Sequence, residues 1–517
     1  MKLKKLGVTI MSAALVAGCL AGCGGGNSQS ASDSSGGSES PGSSAGAEDG
    51  EIKEITWMYA QMSGMIPTDL QKVEDAVNEL TEAEIGVHVN LNPVAFSDYS
   101  NQVSLIMASQ EKMDIITTAG SNIWATLLNQ NQLLPLNDLL EEYGQGILET
   151  IPEEYWAGTT VNGEIYAMTT SGTKASTWGF QMRKDLIDKY GLQDELEKIT
   201  MEDDVLDMDE DFEILTNIFQ TIKENEPNIE ILHPWAVDVA VNHDSLSDEL
   251  GVLMGGDDKI TNMYTSESYK KICQVMYDWN QAGYIMKDTA TTTESAGSLL
   301  SSGRLFAYTI NSGQDNYIGE TNGVEFYSVN LKKPTIDTAE ITKFAYCIPI
   351  TSTEPEAAMK FLNMLYTNGD LVNLMAYGIE GEHYVTEENG NIAYPEGVTA
   401  ANSPYPADQN YMYGNMWLLK MHEPVTLTMD QMRAFTEEAT PVSCLGFSYD
   451  PTNVKTEVAA CSSVLEEYCD GLEKGQLDPE TTLPEFIEKL EKSGINKIIE
   501  EKQSQYEAWL ATQTPAE

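Results

Sequence analysis

From Glu54 onward the chain alternates short apolar runs with longer amphipathic ones. EITWMYAQ, Glu54 to Gln61, reads as a strand that runs into a Gly/Pro turn. Leu70, Val73, Val77 and Leu80 then recur near a 3.6-residue period, which predicts a helix over about 68–84. GVHVNLNPV alternates as a strand, SDYSNQVSLIMAS opens a helix, and KMDIITTAG reads as a buried strand ending in small residues. Strand–helix–strand–helix–strand predicts a parallel sheet with helices on both faces. Ligands of such sheets sit beyond the carboxyl ends of the strands. That points to Tyr59 and Gln61 after the first strand, and to Thr118, Gly120 and Ser121 after the third.

The run NGEIYAMTTSGTKASTWGFQMRKDLIDKYGL reads as a strand, a small polar stretch, and a second strand entering a helix. Its middle, Thr169 to Ser176, has the small residues that absorb backbone rotation where a chain crosses between lobes. A second α/β region extends to about Asn330 and includes GRLFAYTINSGQDN, a strand whose polar end carries Asn311 and Gln314. KFAYCIPIT and the helix EPEAAMKFLNMLYT then return to the first lobe. Beyond, Val454, Val458, Cys461, Leu465, Tyr468 and Leu472 fall on one helical face. TTLPEFIEKLEKSG starts at Thr482 as cap and stops at Gly494, and INKIIEEKQSQYEAWLAT closes the chain. No internal repeat is present.

Composition narrows the classes of function. At 517 residues, two lobes with extra elements are expected. A formal charge of −52 excludes nucleic acid as partner, because phosphates need basic surfaces, and excludes basic adsorption to anionic lipid. MKLKKLGVTIMSAALVAGCLAGC has lysines, an apolar run and small residues, the layout of a signal peptide over 1–22. Leu20-Ala21-Gly22-Cys23 resembles a bacterial lipobox, with Val16-Ala17-Gly18-Cys19 as the alternative, so an acyl anchor on Cys23 is expected. Residues 23–52 hold no large apolar side chain up to Glu51 and read as a flexible tether. Cys273, Cys347, Cys444, Cys461 and Cys469 show no metal or redox spacing and read as small buried hydrophobes.

Candidate chemistry lies at the strand ends and the crossing. Trp178 follows the crossing, Trp235 sits in HPWAVD, and Trp417 sits in a tyrosine-rich loop with Tyr411 and Tyr413. Such rings can stack on ligand, whereas Trp57 and Trp279 lie inside elements and belong to the core. Arg183 could bind a hydroxyl or a carboxylate, or form a structural ion pair. YGIEGEHY gathers Glu380, Glu382 and His383, the material of acid–base catalysis, but Gly378 and Gly381 make it a loop. No nucleophile elbow, paired-histidine metal motif or phosphate loop accompanies it, so Glu380 and His383 read as ligand-side or hinge-fixing hydrogen-bonders. Asp207, Asp209 and Asp211 alternate like calcium ligands but lack the glycine and terminal glutamate of a calcium loop, and read as a solvated helix start. Neither cofactor nor metal is expected.

Anchor and tether, DIITTAG, LLPLNDLLEEYG, MRKDLIDKYGL, YDWNQAGYI and YGIEGEHY together resemble the extracellular solute-binding proteins (family 1) of carbohydrate-type ABC importers. LGFSYDPTNVKTEVAACSSVLEEY and the helices after it resemble the C-terminal domain of unknown function of that family's LipO-like lipoprotein branch. The resemblance covers the mature chain. It implies an α/β clamshell of type II with parallel-sheet lobes, an interlobe cleft and extra C-terminal helices. Lobe 1 is expected over 53–170 plus 331–372, and lobe 2 over 171–330 plus 373–517. It also implies a monomer, tethered by its lipid outside the cytoplasmic membrane of a Gram-positive cell, that hands an oligosaccharide to permease subunits. Ligand contacts are expected from Tyr59, Gln61, Thr118, Ser121, Trp178, Arg183, Trp235, Asn311, Gln314, Glu380, His383 and Trp417. A surface glycan-active enzyme and a signalling or peptide-binding clamshell remain the alternatives; the enzyme would need two carboxylates facing one bond.

Overall fold

The computed structural model describes residues 51–513 apart from 63, 247, 290, 293, 312–316, 322–323, 400–401, 408 and 426. The signal sequence, Cys23, most of the tether and Gln314 therefore lie outside the described residues.

Strand β1 (Lys53–Gln61) leads through helix α1 (Leu70–Ile85) to β2 (Val87–Ala95), then through α2 (Phe96–Ser109) to β3 (Ile115–Thr117) and α3 (Ser121–Asn129). β1 pairs in parallel with both β2 and β3. Its pleat sends Ile55, Trp57 and Tyr59 into one apolar core and Met58 and Ala60 into another, so the sheet is covered on both faces. The expected helix at 68–84 is α1, ended by Gly86 in the left-handed region. Strand β4 (Met168–Thr169) sits at the far edge of this sheet.

The chain then crosses through 170–175 into β5 (Ser176–Arg183), the central strand of a second sheet. Helix α4 (Asp209–Asn225), β6 (Glu230–His233), α5 (Glu267–Gln281), β7 (Leu305–Ile310), β8 (Tyr317–Thr321) and β9 (Val324–Ile336) follow. The strand order is β8-β9-β5-β7-β6, with only β6 and β7 parallel. The parallel lobe expected here is thus a mixed sheet. The acidic stretch does open α4, where Asp209 pairs with Lys271 and Asp211 is buried, accepting a hydrogen bond from the Thr200 amide at 3.3 Å.

A second crossing, helix α6 (Thr338–Thr342), returns the chain to β10 (Ala345–Cys347), between β3 and β4. Helices α7 (Pro355–Thr367) and α8 (Gly369–Tyr377) pack under the first sheet. The next stretch differs from the expected lobe boundary: Tyr377, Tyr384, Ile392, Tyr405, Tyr413, Phe435 and Leu445 all belong to the first core. The sequence reading placed 373–517 with the second lobe, because the loops of 378–428 carry no periodicity that says which face they cover. Helix α9 (Met429–Glu438) leads to β11 (Thr440–Pro441), which pairs with the end of β9 as a third crossing. Leu445 is in the first core and Phe447 in the second. Gly446 between them has φ +94, and a Cβ there would lie 2.1 Å from the Ala157 carbonyl oxygen, so only glycine fits.

Helices α10 (Lys455–Glu473), α11 (Pro479–Ser493) and α12 (Ile495–Gln513) complete the second core through Cys461, Leu472, Phe486, Leu490, Ile498 and Tyr506. Gly494 ends α11 as expected, but Asp478 caps it rather than Thr482, accepting the Glu480 amide at 3.0 Å. Trp57 and Trp279 are buried, as are four of the five cysteines, with Cys469 half-buried. Burial pushes the thiol pKa of Cys273, Cys347, Cys444 and Cys469 upward, which keeps them protonated.

Phe219 is fully buried and packs against the rings of Phe180, Trp279, Tyr284 and Phe306 at 5.1–6.4 Å. Phe219→Ala should lower the unfolding free energy by about 3–5 kcal/mol, read by urea denaturation, and Ser104→Ala on an exposed face should change it little.

Candidate functional site

The carboxyl ends of β1, β2 and β3 and the amino end of β10 share one edge of the first sheet, as the pairing directions require. The carboxyl ends of β6 and β7 and the amino end of β5 share one edge of the second. The first crossing joins these two edges: it leaves β4 at Thr169 and enters β5 at Ser176. The Asn311 carbonyl accepts the Thr177 amide at 3.1 Å, which ties the end of β7 to the end of the crossing. The facing edges are therefore held in place by backbone bonding, while their outward side chains remain available.

Aromatic rings stand out on both edges. Trp235, beyond β6, is 55% exposed. Its amide donates to Thr309 Oγ1 at 2.5 Å, and that hydroxyl donates back to the Trp235 carbonyl at 2.6 Å. Two bonds to β7 thus fix the backbone while the indole stays in solvent. On the first lobe, Tyr411 and Phe96 are 40% and 49% exposed. The Tyr411 ring packs against Phe344 at 5.3 Å, and Phe344 itself has φ +61. Ala236, next to Trp235, has φ +46. Non-glycine residues in the left-handed region carry strain, and such strain collects at functional sites.

A cavity of about 450 Å³ lies along the crossing, lined by Met62, Thr170, Gly172–Ala175, Phe344, Tyr411, Met416 and Phe435 among others. This is within the usual range for a small-molecule site. Lys174 lines it and is 3% exposed. Its ammonium donates to Thr170 Oγ1 at 3.0 Å and to the Lys343 carbonyl at 3.4 Å, while the nearby Glu340 carboxylate is engaged by Lys343 at 3.2 Å. Burial pulls the Lys174 pKa down to about 8. The arrangement offers stacking surfaces, hydroxyls and one buried cation. It has no nucleophile with a paired base.

Residues 67–371 match the bacterial extracellular solute-binding protein family, and residues 443–511 match a domain of unknown function, DUF3502. The chain belongs to the extracellular solute-binding proteins. It is 26% identical over 481 residues to a carbohydrate ABC transporter substrate-binding protein of Streptococcus pneumoniae serotype 4, spanning 90% of this chain and 92% of the relative. The crystal structure of the N-glycan transport solute binding protein NgtS of Streptococcus pneumoniae superposes with TM-score 0.77 at 24% identity, over 89% of this chain and 100% of that one. The alginate-binding protein AlgQ2 gives TM-score 0.55 at 15% identity, over 88% and 98% of the two chains. These likenesses give the solute-binding protein its two-lobed fold.

Within this solute-binding protein the expected contacts divide. Trp235 and Asn311 stand on the second edge, as anticipated for residues beyond strands. Thr118 is at the first edge, but it is fully buried: its hydroxyl binds the Thr342 carbonyl and accepts the Ala345 amide at 2.8 Å, fastening the second crossing. Ser121 opens α3 behind Gly120. Gln61 is 2% exposed, and Tyr59 lies inside β1, packed on Trp57 and Tyr413 in the core. Trp178 is likewise a core ring, on Phe180. Both rings lie within their strands, Tyr59 two residues before the end of β1 and Trp178 two residues after the start of β5, where the pleat turns them inward. Arg183 is at the far end of β5, away from the crossing, bound to Asp185 at 2.6 Å and the Gly303 carbonyl at 3.1 Å. Trp417 is covered by the Arg433 guanidinium at 4.3 Å.

His383 is 1% exposed. Its Nδ1 accepts the Ile379 amide at 2.8 Å, and its Nε2 lies 3.3 Å from Asp69. The Lys72 ammonium bridges Asp69 at 2.9 Å and Glu382 at 3.1 Å. Hydrogen bonds from Lys72 first, and then His383, hold the Asp69 carboxyl below its usual range. Glu380 accepts from Thr386 Oγ1 at 2.5 Å on an exposed loop. The group that resembled a catalytic set staples the start of α1 to the loop after α8, and it does not line the cavity. Lys174, Phe344 and Phe96 escaped sequence reading: nothing in TSGTKAS marks a lysine for burial, nor in TKFAY a left-handed phenylalanine.

For Lys174, the unfolded chain holds a proton that the folded chain sheds above about pH 8. Its contribution to stability therefore rises with pH between 8 and the unfolded lysine value of about 10.4. Lys174→Met removes that dependence. The variant should be more stable than the parent at pH 7 by a margin that shrinks by pH 9.5, read by thermal denaturation at both values; a constant margin would show that the ammonium is already relieved.

Proposed function

We propose that the protein captures an oligosaccharide in the cleft between its lobes and hands it, unaltered, to the membrane subunits of an ABC importer. The observation that carries this reading is the pair of exposed rings, Trp235 on one lobe and Tyr411 on the other, held at edges joined by the crossing that lines the cavity. Sugar C–H faces stack on such rings, and sugar hydroxyls exchange hydrogen bonds with groups such as those of Thr170 and Thr173. Closure adds affinity only through contacts absent from the open form. The relatives support the carbohydrate class: one carries it in its name, and NgtS has been crystallised with Man5GlcNAc. Of the twelve expected contacts this reading keeps Trp235 and Asn311 and adds Tyr411, Phe344, Phe96 and Lys174. An acyl chain on Cys23 and the tether through residue 52 would hold the monomer at the outer face of the cytoplasmic membrane, within reach of the permease.

Native mass spectrometry against a panel of oligosaccharides tests it. A one-to-one complex that releases its sugar intact is expected. Trp235→Ala and Tyr411→Ala should each weaken it about tenfold, since a well-placed ring is worth about 0.5–1.5 kcal/mol beyond its area. Recovery of a shortened sugar would make the protein an enzyme, and unchanged affinity in both variants would move the site elsewhere.

A further inference from the structure

We propose that a second groove, where the first lobe meets the C-terminal helix, binds an uncharged oligosaccharide. The groove has a volume of about 870 Å³ and shares no lining residue with the cavity at the crossing. One wall is the turn between the short strands Thr160–Val161 and Glu164–Ile165, the other is α12, and 445–448 form the floor. Its chemistry departs from the rest of the molecule. Charged residues make up 21% of the chain, yet none of the fifteen residues lining this groove is charged. At the chain's own 21%, about three of the fifteen would be charged. What lines it instead is two tryptophans, Trp156 and Trp509, with the amides of Asn162 and Gln513 and the hydroxyls of Ser448 and Thr512.

Each wall is preorganised. Asn162 and Gly163 take φ of +54 and +84, the paired left-handed geometry of a tight hairpin turn, and the Gly163 carbonyl is held by the Asn137 side chain at 3.2 Å. Trp509 lies against Tyr506, ring centroids 5.6 Å apart and nearly parallel, with Phe447 edge-on at 5.9 Å. The Thr160 and Thr512 hydroxyls donate to the carbonyls of Trp156 and Trp509 at 2.7 and 2.6 Å, and the Gln513 amide donates to Thr512 Oγ1 at 3.1 Å, which orients these groups toward a ligand's hydroxyls. Rigid rings with amides and hydroxyls, in a site with no ion to desolvate, suit a neutral polyol chain and disfavour an acidic one. A peptide would bring backbone and terminal charges that find no counterpart here.

The proposal rests on the ligand of this protein being a glycan, and the test separates the two. The full chain is titrated with mannopentaose, chitopentaose and maltopentaose, and with trigalacturonic acid as the charged counterpart, by calorimetry and native mass spectrometry. At least one neutral sugar should bind twice. The weaker event should survive Tyr411→Ala, fall at least about tenfold in Trp156→Ala, and be lost in Ala508→Glu, which places a carboxylate from an exposed helical position beside the groove without touching the core. A single event that is lost with Tyr411→Ala overturns the groove and leaves the interlobe reading intact. A second event indifferent to Trp156→Ala and Ala508→Glu, or one that takes trigalacturonic acid equally, overturns the groove's location or its class. Binding of no saccharide overturns both.

Discussion

Wherever this chain leaves a sheet it must do so through buried backbone, and buried N–H and C=O groups need partners. Threonine hydroxyls meet that requirement at four places around the crossings and strand ends. Thr118 bonds the backbone at Thr342 and Ala345, Thr177 bonds the Lys332 carbonyl, Thr309 bonds both polar groups of Trp235, and Thr338 accepts the Gly446 amide. A threonine is short enough to stay beside the main chain and can donate and accept at once. These bonds allow three chain passes to run side by side between two cores. Trp235 depends on the same device, because the two bonds from Thr309 pin its backbone while its indole stays exposed.

The two lobes meet the same task with different means. The first is largely parallel, covered on both faces, and its ligand edge follows from strand direction alone. In the second, a mixed sheet receives the crossing at the amino end of its central strand, so the same edge gathers ends of opposite polarity. Aromatic residues beyond β6 and in the loop before α9 thus come to the site from stretches with little regular structure. Loops supply the exposed rings, and the sheets supply their positions.

Much of this was legible in the sequence. The order of elements in the first lobe, the crossing at 169–176, the return through β10 and the acidic start of α4 all follow from periodicity and small-residue runs. The edge position of Trp235 and Asn311 was legible because they lie two residues and one residue beyond strand ends. Tyr59 and Trp178 lie inside β1 and β5, and the pleat that turns both inward is not legible where apolar residues fall on both faces of a strand. The loops of 378–428 were assigned to the wrong core because loops have no period to betray the surface they cover. Arg183 and His383 have the chemistry of ligand groups, and only their partners, Asp185 in one case and Ile379 with Asp69 in the other, show that it is spent within the fold.

Neither core is built from one continuous stretch. The first draws on residues from Ile55 to Leu445, and the second on residues from Trp178 to Tyr506. A chain emerging amino end first can complete neither of these two cores until Leu445 has appeared, and the second waits for the final helix. Contacts this distant in sequence make folding slow, because loop closure must come before the contacts reward it. The interleaved layout therefore delays the finished shape until nearly the whole polypeptide is present, so that a chain threaded through a narrow channel would not be trapped half-folded on the wrong side.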